Sequence, residues 1–539
     1  MKALKYILAL FVASVVVSCY EDEGNYTYNE DIHDISVKLK SSYGLRKTKG
    51  LIQYSITPEI ETVDGDKSYL EYLWLLRNNK NGVEDTVGLA EQVDLEFNSD
   101  ASDFSSSYEL ALYVTDTKTG GVTMAPTKIE FAMPYSFAWL VLHETNDHAE
   151  LGTVEYILSD MVVVPDVYTQ EHGQPMTGKP VNLSVVKKDI QSYYWPSTTP
   201  AQVYVTTTNL AESGWYDQRE KFSLMGAWSE LIWPTLAEEF DPQNMETTGD
   251  NQGLMMVCNG NLFRSCPTSP YIFKGAPDVT FEGDYYITKS VGGPHCGLAY
   301  DELGRRFIYV KSASWYGYPS GESKGATLCP VREVDENAAN PNQLPAGEKI
   351  IRLINGYWHD RVTTVANWHR YSAYAYSLGE GGESHVYVFR YRGLSGSDVA
   401  PMPYRFTFNT PAGVNENTPM TSSWEYNNIL FYAVGNEIYK LDFSTGQTTL
   451  IYSHPDDSAE FVDLKMGIEG YVTATGFSDY SLYGHPYSRC LGAALNTQSG
   501  EGELVVLQLN SVGKVDEDHK FPSVQVHKGF GKIKEIEFF

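Results

Sequence analysis

The sequence is poor in positive charge. Its 40 Lys and Arg face 69 Asp and Glu over 539 residues, a net charge of −29. Nucleic acids are held by cations on phosphates, so a nucleic-acid partner is excluded, as is a basic patch on an anionic membrane. A membrane-spanning run is missing at the N-terminus too. The apolar stretch Tyr6–Val17 has twelve residues, about 18 Å of helix against a bilayer core of about 30 Å. The signatures of common chemistry are also lacking. There is no CxxC, no phosphate-binding GxxxxGK[ST] and no DxDxDG calcium loop, so no cofactor or metal is expected. In His143-Glu144-Thr145-Asn146-Asp147-His148 the histidines are five apart. Zinc binding on one helix face needs them four apart, so this reads as a polar hairpin loop. In Pro294-His295-Cys296-Gly297 the adjacent His and Cys would point to opposite faces of a strand, which removes a nucleophile pair. No catalytic residue is assigned.

What is present begins with an address. Lys2 and Lys5 precede the apolar run, which ends in Val16-Val17-Ser18-Cys19. This order resembles a bacterial lipobox, so residues 1–18 read as a signal peptide and Cys19 as the lipidated mature N-terminus. Tyr20-Glu21-Asp22-Glu23 follows, and an acidic run there is similar to the surface-export signal of Bacteroidota lipoproteins. Residues 19–30 form the tether. The expected location is the outer membrane, facing the cell exterior and held by lipid alone. Six cysteines occur. With Cys19 committed to lipid, Cys258, Cys266, Cys296, Cys329 and Cys490 are an odd set that cannot all pair internally. A Cys258–Cys266 bridge across a hairpin and buried free thiols both remain open.

Aromatic residues are abundant: 39 Tyr, 22 Phe and 10 Trp, 13% of the chain. That excess favours pleated sheets and recognition surfaces. Over residues 31–133 short alternating runs dominate. Tyr69–Leu76 is a strand with Trp74 in its middle, and Tyr108–Asp116 alternates before the turn Thr117–Gly121. These features predict an Ig-like sandwich. The set Tyr72-Leu73-Trp74, Tyr108-Glu109-Leu110 and Val114-Thr115-Asp116 resembles the PKD-like modules of bacterial surface proteins, which act as spacers.

From Tyr135 to the end, seven apolar strand clusters recur: Trp139–Leu142, Gln202–Val205, Leu254–Cys258, Phe307–Val310, Val386–Phe389, Ile429–Tyr432 and Leu504–Leu507. The clearest unit is Asn428–Val434, a Gly435-Asn436 turn, Glu437–Phe443 and the turn Ser444–Gln447. Repeated units of this kind predict a β-propeller of about seven blades over residues 135–539. Two large sandwiches are the competing fold. The fold class is thus all-β, an Ig/PKD-like sandwich followed by a propeller. The whole layout resembles the PKD-like lipoproteins of Bacteroidota. The resemblance implies SusC/SusD-type outer-membrane transporter proteins as partners in nutrient uptake, and it implies no catalytic motif.

Five turn-rich segments concentrate aromatics: Tyr193–Pro196, Gly214–Asp217, Ser314–Pro319, Gly356–Asp360 and Asn367–Tyr371. Rings at loop tips bury apolar sugar or peptide surface while their polar ends orient it. The candidate ligand-binding residues are Trp215, Trp315, Tyr316, Tyr318, Trp358, His359 and Trp368. For any one segment, burial between blades is the commoner fate. The expected function is non-enzymatic capture of a glycan or peptide. The alternatives are a surface hydrolase or lyase with carboxylates in the propeller funnel, and an adhesin for host glycoproteins.

Overall fold

The computed structural model describes residues 35–538 except 133–134, 136–137, 158–159, 187–201, 218–220, 232–241, 249–252, 266–281, 294–295, 312–325, 330–338, 358–370, 391–403, 424–425, 468–488 and 520–521. Cys19, the signal peptide and the tether lie outside the described residues. The rest is β-structure with a few short helical turns. It divides into two compact units, residues up to Tyr43 with Thr48–Phe131, and Gly44–Lys47 with Ala132–Phe539.

The first unit follows from period-two patterning. Val93–Asn98 alternates buried and exposed at every position, and Ser107–Asp116 buries every second residue from Tyr108 on. A five-stranded sheet runs in the order Ser42–Arg46, Val122–Ala132, Ser107–Asp116, Leu70–Asn78, Glu84–Gly88, and Leu51–Ile56 pairs with Val93–Asn98. Trp74 is wholly buried, and its Nε1 donates to the Ala90 carbonyl at 2.9 Å. The ring fills the core while its polar edge stays satisfied.

In the second unit the described residues form seven radial sheets that follow one another. The first blade holds Ala138–Thr145, His148–Ile157 and Asp160–Val164, with Lys532–Phe538 as its innermost strand. The second holds Pro180–Val186, Gln202–Thr207, Gly214–Asp217 and Ser223–Ala227. The third holds Pro242–Thr248, Gly253–Cys258 and Asn261–Ser265. The fourth holds Ile287–Gly292, Cys296–Asp301, Arg306–Lys311 and Ala326–Leu328. The fifth holds Lys349–Tyr357, Tyr371–Leu378, Glu383–Arg390 and Tyr404–Asn409. The sixth holds Met420–Thr421, Ile429–Val434, Glu437–Asp442 and Gln447–Ser453. The seventh holds Glu460–Met466, Cys490–Asn496, Gly502–Gln508 and Val524–Phe530. Each innermost strand packs beside the next, and Lys532–Phe538 touches both Glu460–Met466 and Pro180–Val186. The circle therefore closes. This is a seven-bladed β-propeller, and the pair of large sandwiches is excluded.

Its stability lies between the blades. Ala138, Leu140 and Leu142 pack towards the second blade with Leu183, Val203 and Val205. The alternate residues Trp139 and Val141 pack towards the seventh with Cys490, Leu504 and Val506. Such two-sided burial recurs around the ring, each large apolar side chain contributing roughly 1.5–3 kcal/mol. Trp139 lies against Gly492, where a Cβ would stand 2.5 Å from the indole. Cys329 and Cys490 are buried free thiols. Burial pushes both upward, Cys490 to about 12, so neither is a poised nucleophile. Cys258 is buried in the cluster between the second and third blades, while Cys266 lies outside the described residues.

Candidate functional site: the central channel and the two faces

The innermost strands line the axis, and their sequences explain what they present there. Among the described residues, this strand carries one extra residue against its neighbour in six of the seven blades: Val181, Gln243, Thr288, Ile351, Val462 and Lys534. A bulge of this kind re-aims the side chain that follows. The six following residues are Asn182, Asn244, Lys289, Arg352, Asp463 and Glu535, all polar and all half-buried. They form one level of the channel wall.

Most of this level clasps the next blade. The Asp463 carboxylate accepts from Ile536 N at 3.0 Å, and from Leu464 N at 2.9 Å. Glu535 accepts from Leu183 N at 2.7 Å and from Asn182 Nδ2 at 3.4 Å. Asn244 Nδ2 donates to the Ser290 carbonyl at 2.8 Å and to Ser290 Oγ at 3.0 Å. Arg352 donates to the carbonyls of Glu416 at 3.1 Å and Asn417 at 3.0 Å. An innermost strand has a bare backbone edge on the channel, and these side chains cap it. Two residues further on, Lys465 pairs with Glu537 at 2.7 Å.

Three carboxyl groups around one lysine cannot all ionise cheaply. Burial, with Asp463 adding and Lys465 opposing, raises Glu535 to about 8. Burial also raises Asp463. On the cationic side, burial and then the neighbouring Arg352 lower Lys289. Sequence reasoning did not find this level. Its trace is the repeated Pro-x-Asn of Pro180-Val181-Asn182 and Pro242-Gln243-Asn244. The channel carboxylates answer in position to the funnel pair of the hydrolase alternative. The oxygens of Asp463 and one oxygen of Glu535 are committed to backbone N–H groups, the arrangement of a structural clasp. Among the described residues no three His, Cys, Asp or Glu come together to hold a metal.

The polar hairpin read at His143–His148 is present, with Asn146 and Asp147 at φ 52° and 64°. His143 itself is buried. Its Nε2 donates to the Pro165 carbonyl at 2.8 Å, and its Nδ1 accepts from Gly531 N at 3.0 Å. Burial lowers it to about 4, so it is a neutral tie between strands.

Antiparallel blades send their connections to two faces. Second-to-third-strand connections leave from one face and are short, as at Asn146–Asp147, Asn259–Gly260, Glu302–Arg305 and Gly435–Asn436. First-to-second and third-to-fourth connections leave from the other. The strands bounding 187–201, 312–325 and 358–370 all end on that second face. Trp315, Tyr316, Tyr318, Trp358, His359 and Trp368 fall in these connections and lie outside the described residues.

Trp215 does not belong with them. Expected in a loop, it is instead in the strand Gly214–Asp217, packed on the cluster of Tyr204, Trp228 and Phe263. Gly214, which imitates a turn residue, is glycine because a Cβ would stand 2.1 Å from the Gly226 carbonyl oxygen.

A profile of the PKD-like family matches residues 19–180, starting at Cys19 and reaching past the outer strands of the first blade. Among curated proteins the chain has no match. Solved structures align at low identity. A DUF4784 family protein from Bacteroides caccae is 9% identical over 78% of this chain and 96% of its own, with TM-score 0.27. The β-propeller domain of Myceliophteria thermophila Cps50 (Swd1) is 9% identical over 62% and 80%, with TM-score 0.29. AztD from Citrobacter koseri is 11% identical over 70% and 94%, with TM-score 0.26. At these scores the alignments carry no argument, and the propeller rests on its own sheets.

Proposed function

We propose that this protein is a lipid-anchored surface module that captures a glycan or peptide without transforming it, as an accessory component of a SusC/SusD-type uptake system. The observation that carries the binding reading is the polarity of the propeller. Connections rich in Trp and Tyr depart from one face, while the opposite face carries the second-to-third-strand turns and the blade-to-blade connections. Aromatic-rich connections suit a ligand with apolar and hydroxylated surfaces, and a chain of net charge −29 disfavours an anionic polymer there. The lipid on Cys19 would hold the module at the membrane, and the sandwich would serve as spacer.

The test is a tagged pull-down from gently solubilised outer membranes, with mass spectrometry of what accompanies the chain. Co-purification of a large barrel protein and its lid lipoprotein supports the accessory role, and recovery of the chain alone overturns it. For ligand capture, Trp315→Ala with Trp358→Ala should weaken binding at least tenfold and leave the melting temperature unchanged. A large drop in melting temperature would make these rings core and remove the binding reading.

A further inference from the structure

Acids outnumber bases so heavily in this chain that a cation without a carboxylate partner needs a reason. Three described lysines on or beside the innermost strands have one. Lys465 meets Glu537 at 2.7 Å, Lys349 meets Glu416, and Lys179 meets Asp147 at 2.6 Å and Glu144 at 3.0 Å. Among the described residues, Lys532 and Lys534 of the closing strand have none but are exposed. Lys289 and Arg352 have none either. They occupy the same level of the channel on adjacent innermost strands, each directly after its bulge. Both are half-buried.

We propose that Lys289 and Arg352 form a site in the central channel for one oxyanion group, a carboxylate or a phosphate. The donor count supports it. Lys289 Nζ makes one hydrogen bond among the described residues, to the Thr288 carbonyl at 3.2 Å, which leaves two donors. Arg352 Nη1 donates to the carbonyls of Ile351 and Glu416, and Nη2 donates to Asn417. Nε–H and one Nη2 hydrogen remain, the two neighbouring donors of a guanidinium edge that fit two oxygens of one anion. The carboxylates of Glu302 and Glu416 act on Lys289 through space but lie outside hydrogen-bond distance, and Glu416 is engaged by Lys349. Asp463 favours the charge on Arg352, yet its own oxygens are held by backbone N–H groups. Two like charges side by side and partly desolvated are unfavourable alone, as the lowered Lys289 shows. An anion between them removes that cost. This level lies on the half of the channel near the short-turn face, so the site is separate from the aromatic-bearing face.

The experiment uses the full chain with inorganic phosphate and glutarate as probes, by calorimetric titration at fixed ionic strength with chloride as the balancing anion. The expected result is one saturable site per chain, weakened at least tenfold in Lys289→Gln and unchanged in Lys179→Gln, whose lysine is already paired. Lys289→Arg, which keeps the charge, should retain binding and guards against a folding defect in the Gln variant. Tighter phosphate marks a phosphoryl ligand, and tighter glutarate marks a carboxylate ligand. Absence of saturable binding by either probe overturns the proposal. So does equal binding by wild type and Lys289→Gln, or equal loss in Lys179→Gln.

Discussion

Replacing Glu535 by Gln should change how the propeller responds to pH. In the native channel the Glu535 carboxyl keeps its proton to about pH 8, chiefly through burial, whereas an ordinary glutamate loses it near 4.5. A carboxyl raised on folding binds more protons in the native state. Its contribution is therefore full below about pH 4.5 and is lost as pH rises through about 8. The whole difference corresponds to at most about 5 kcal/mol at roughly 1.4 kcal/mol per pH unit. Glu535 is only half-buried, so solvent screening reduces that, and a loss of about 2 kcal/mol between pH 5 and 9 is expected. Gln keeps an oxygen for Leu183 N and has nothing to ionise. Urea unfolding followed by tryptophan fluorescence at pH 5, 7 and 9 measures the difference. Glu535→Gln should match wild type within about 0.5 kcal/mol at pH 5 and exceed it by about 2 kcal/mol at pH 9. A gap independent of pH would refute the reasoning.

The acid limb should be set by buried histidine. His143 is lowered to about 4, so its contribution is complete above about pH 6.5 and is lost as pH falls towards 4; unfolding midpoints from pH 4 to 7 should show a shallower slope for His143→Gln. Asp301 is fully buried, pairs with Arg306 at 2.8 Å and accepts from Tyr286 N and Gly304 N. Asp301→Ala should cost about 3 kcal/mol by denaturant midpoint, and a cost under about 1 kcal/mol would show the pair to be dispensable. Gly492→Ala drives a methyl into Trp139 and should cost about 1–3 kcal/mol, with a changed near-ultraviolet dichroism band that reports the displaced indole.

The propeller was legible because its middle strands are buried on both faces. Each of the seven apolar clusters, from Trp139–Leu142 to Leu504–Leu507, falls in a different blade and in its second or third strand. There, neighbours on either side demand continuous hydrophobicity. The inner strands were not legible. Lys532–Phe538 reads Lys-Ile-Lys-Glu-Ile-Glu-Phe and Pro180–Val186 opens with proline, and the bulge breaks the period of two that would mark a channel-facing stripe. The polar level at the axis is a product of register, which no single strand's composition records. Trp215 misled for a related reason, since glycine and aspartate around an aromatic imitate a turn when the glycine answers to a close backbone approach.

The closing strand carries a consequence in time. Trp139 pairs with Phe538, a partner about 400 positions further along, which synthesis at roughly 5–20 residues per second delivers on the order of half a minute later. Over that interval Ala138–Thr145, whose first six residues are buried in the finished ring, offers a bare apolar edge to any strand that comes by. The hazard in this architecture is a borrowed strand from a second nascent copy.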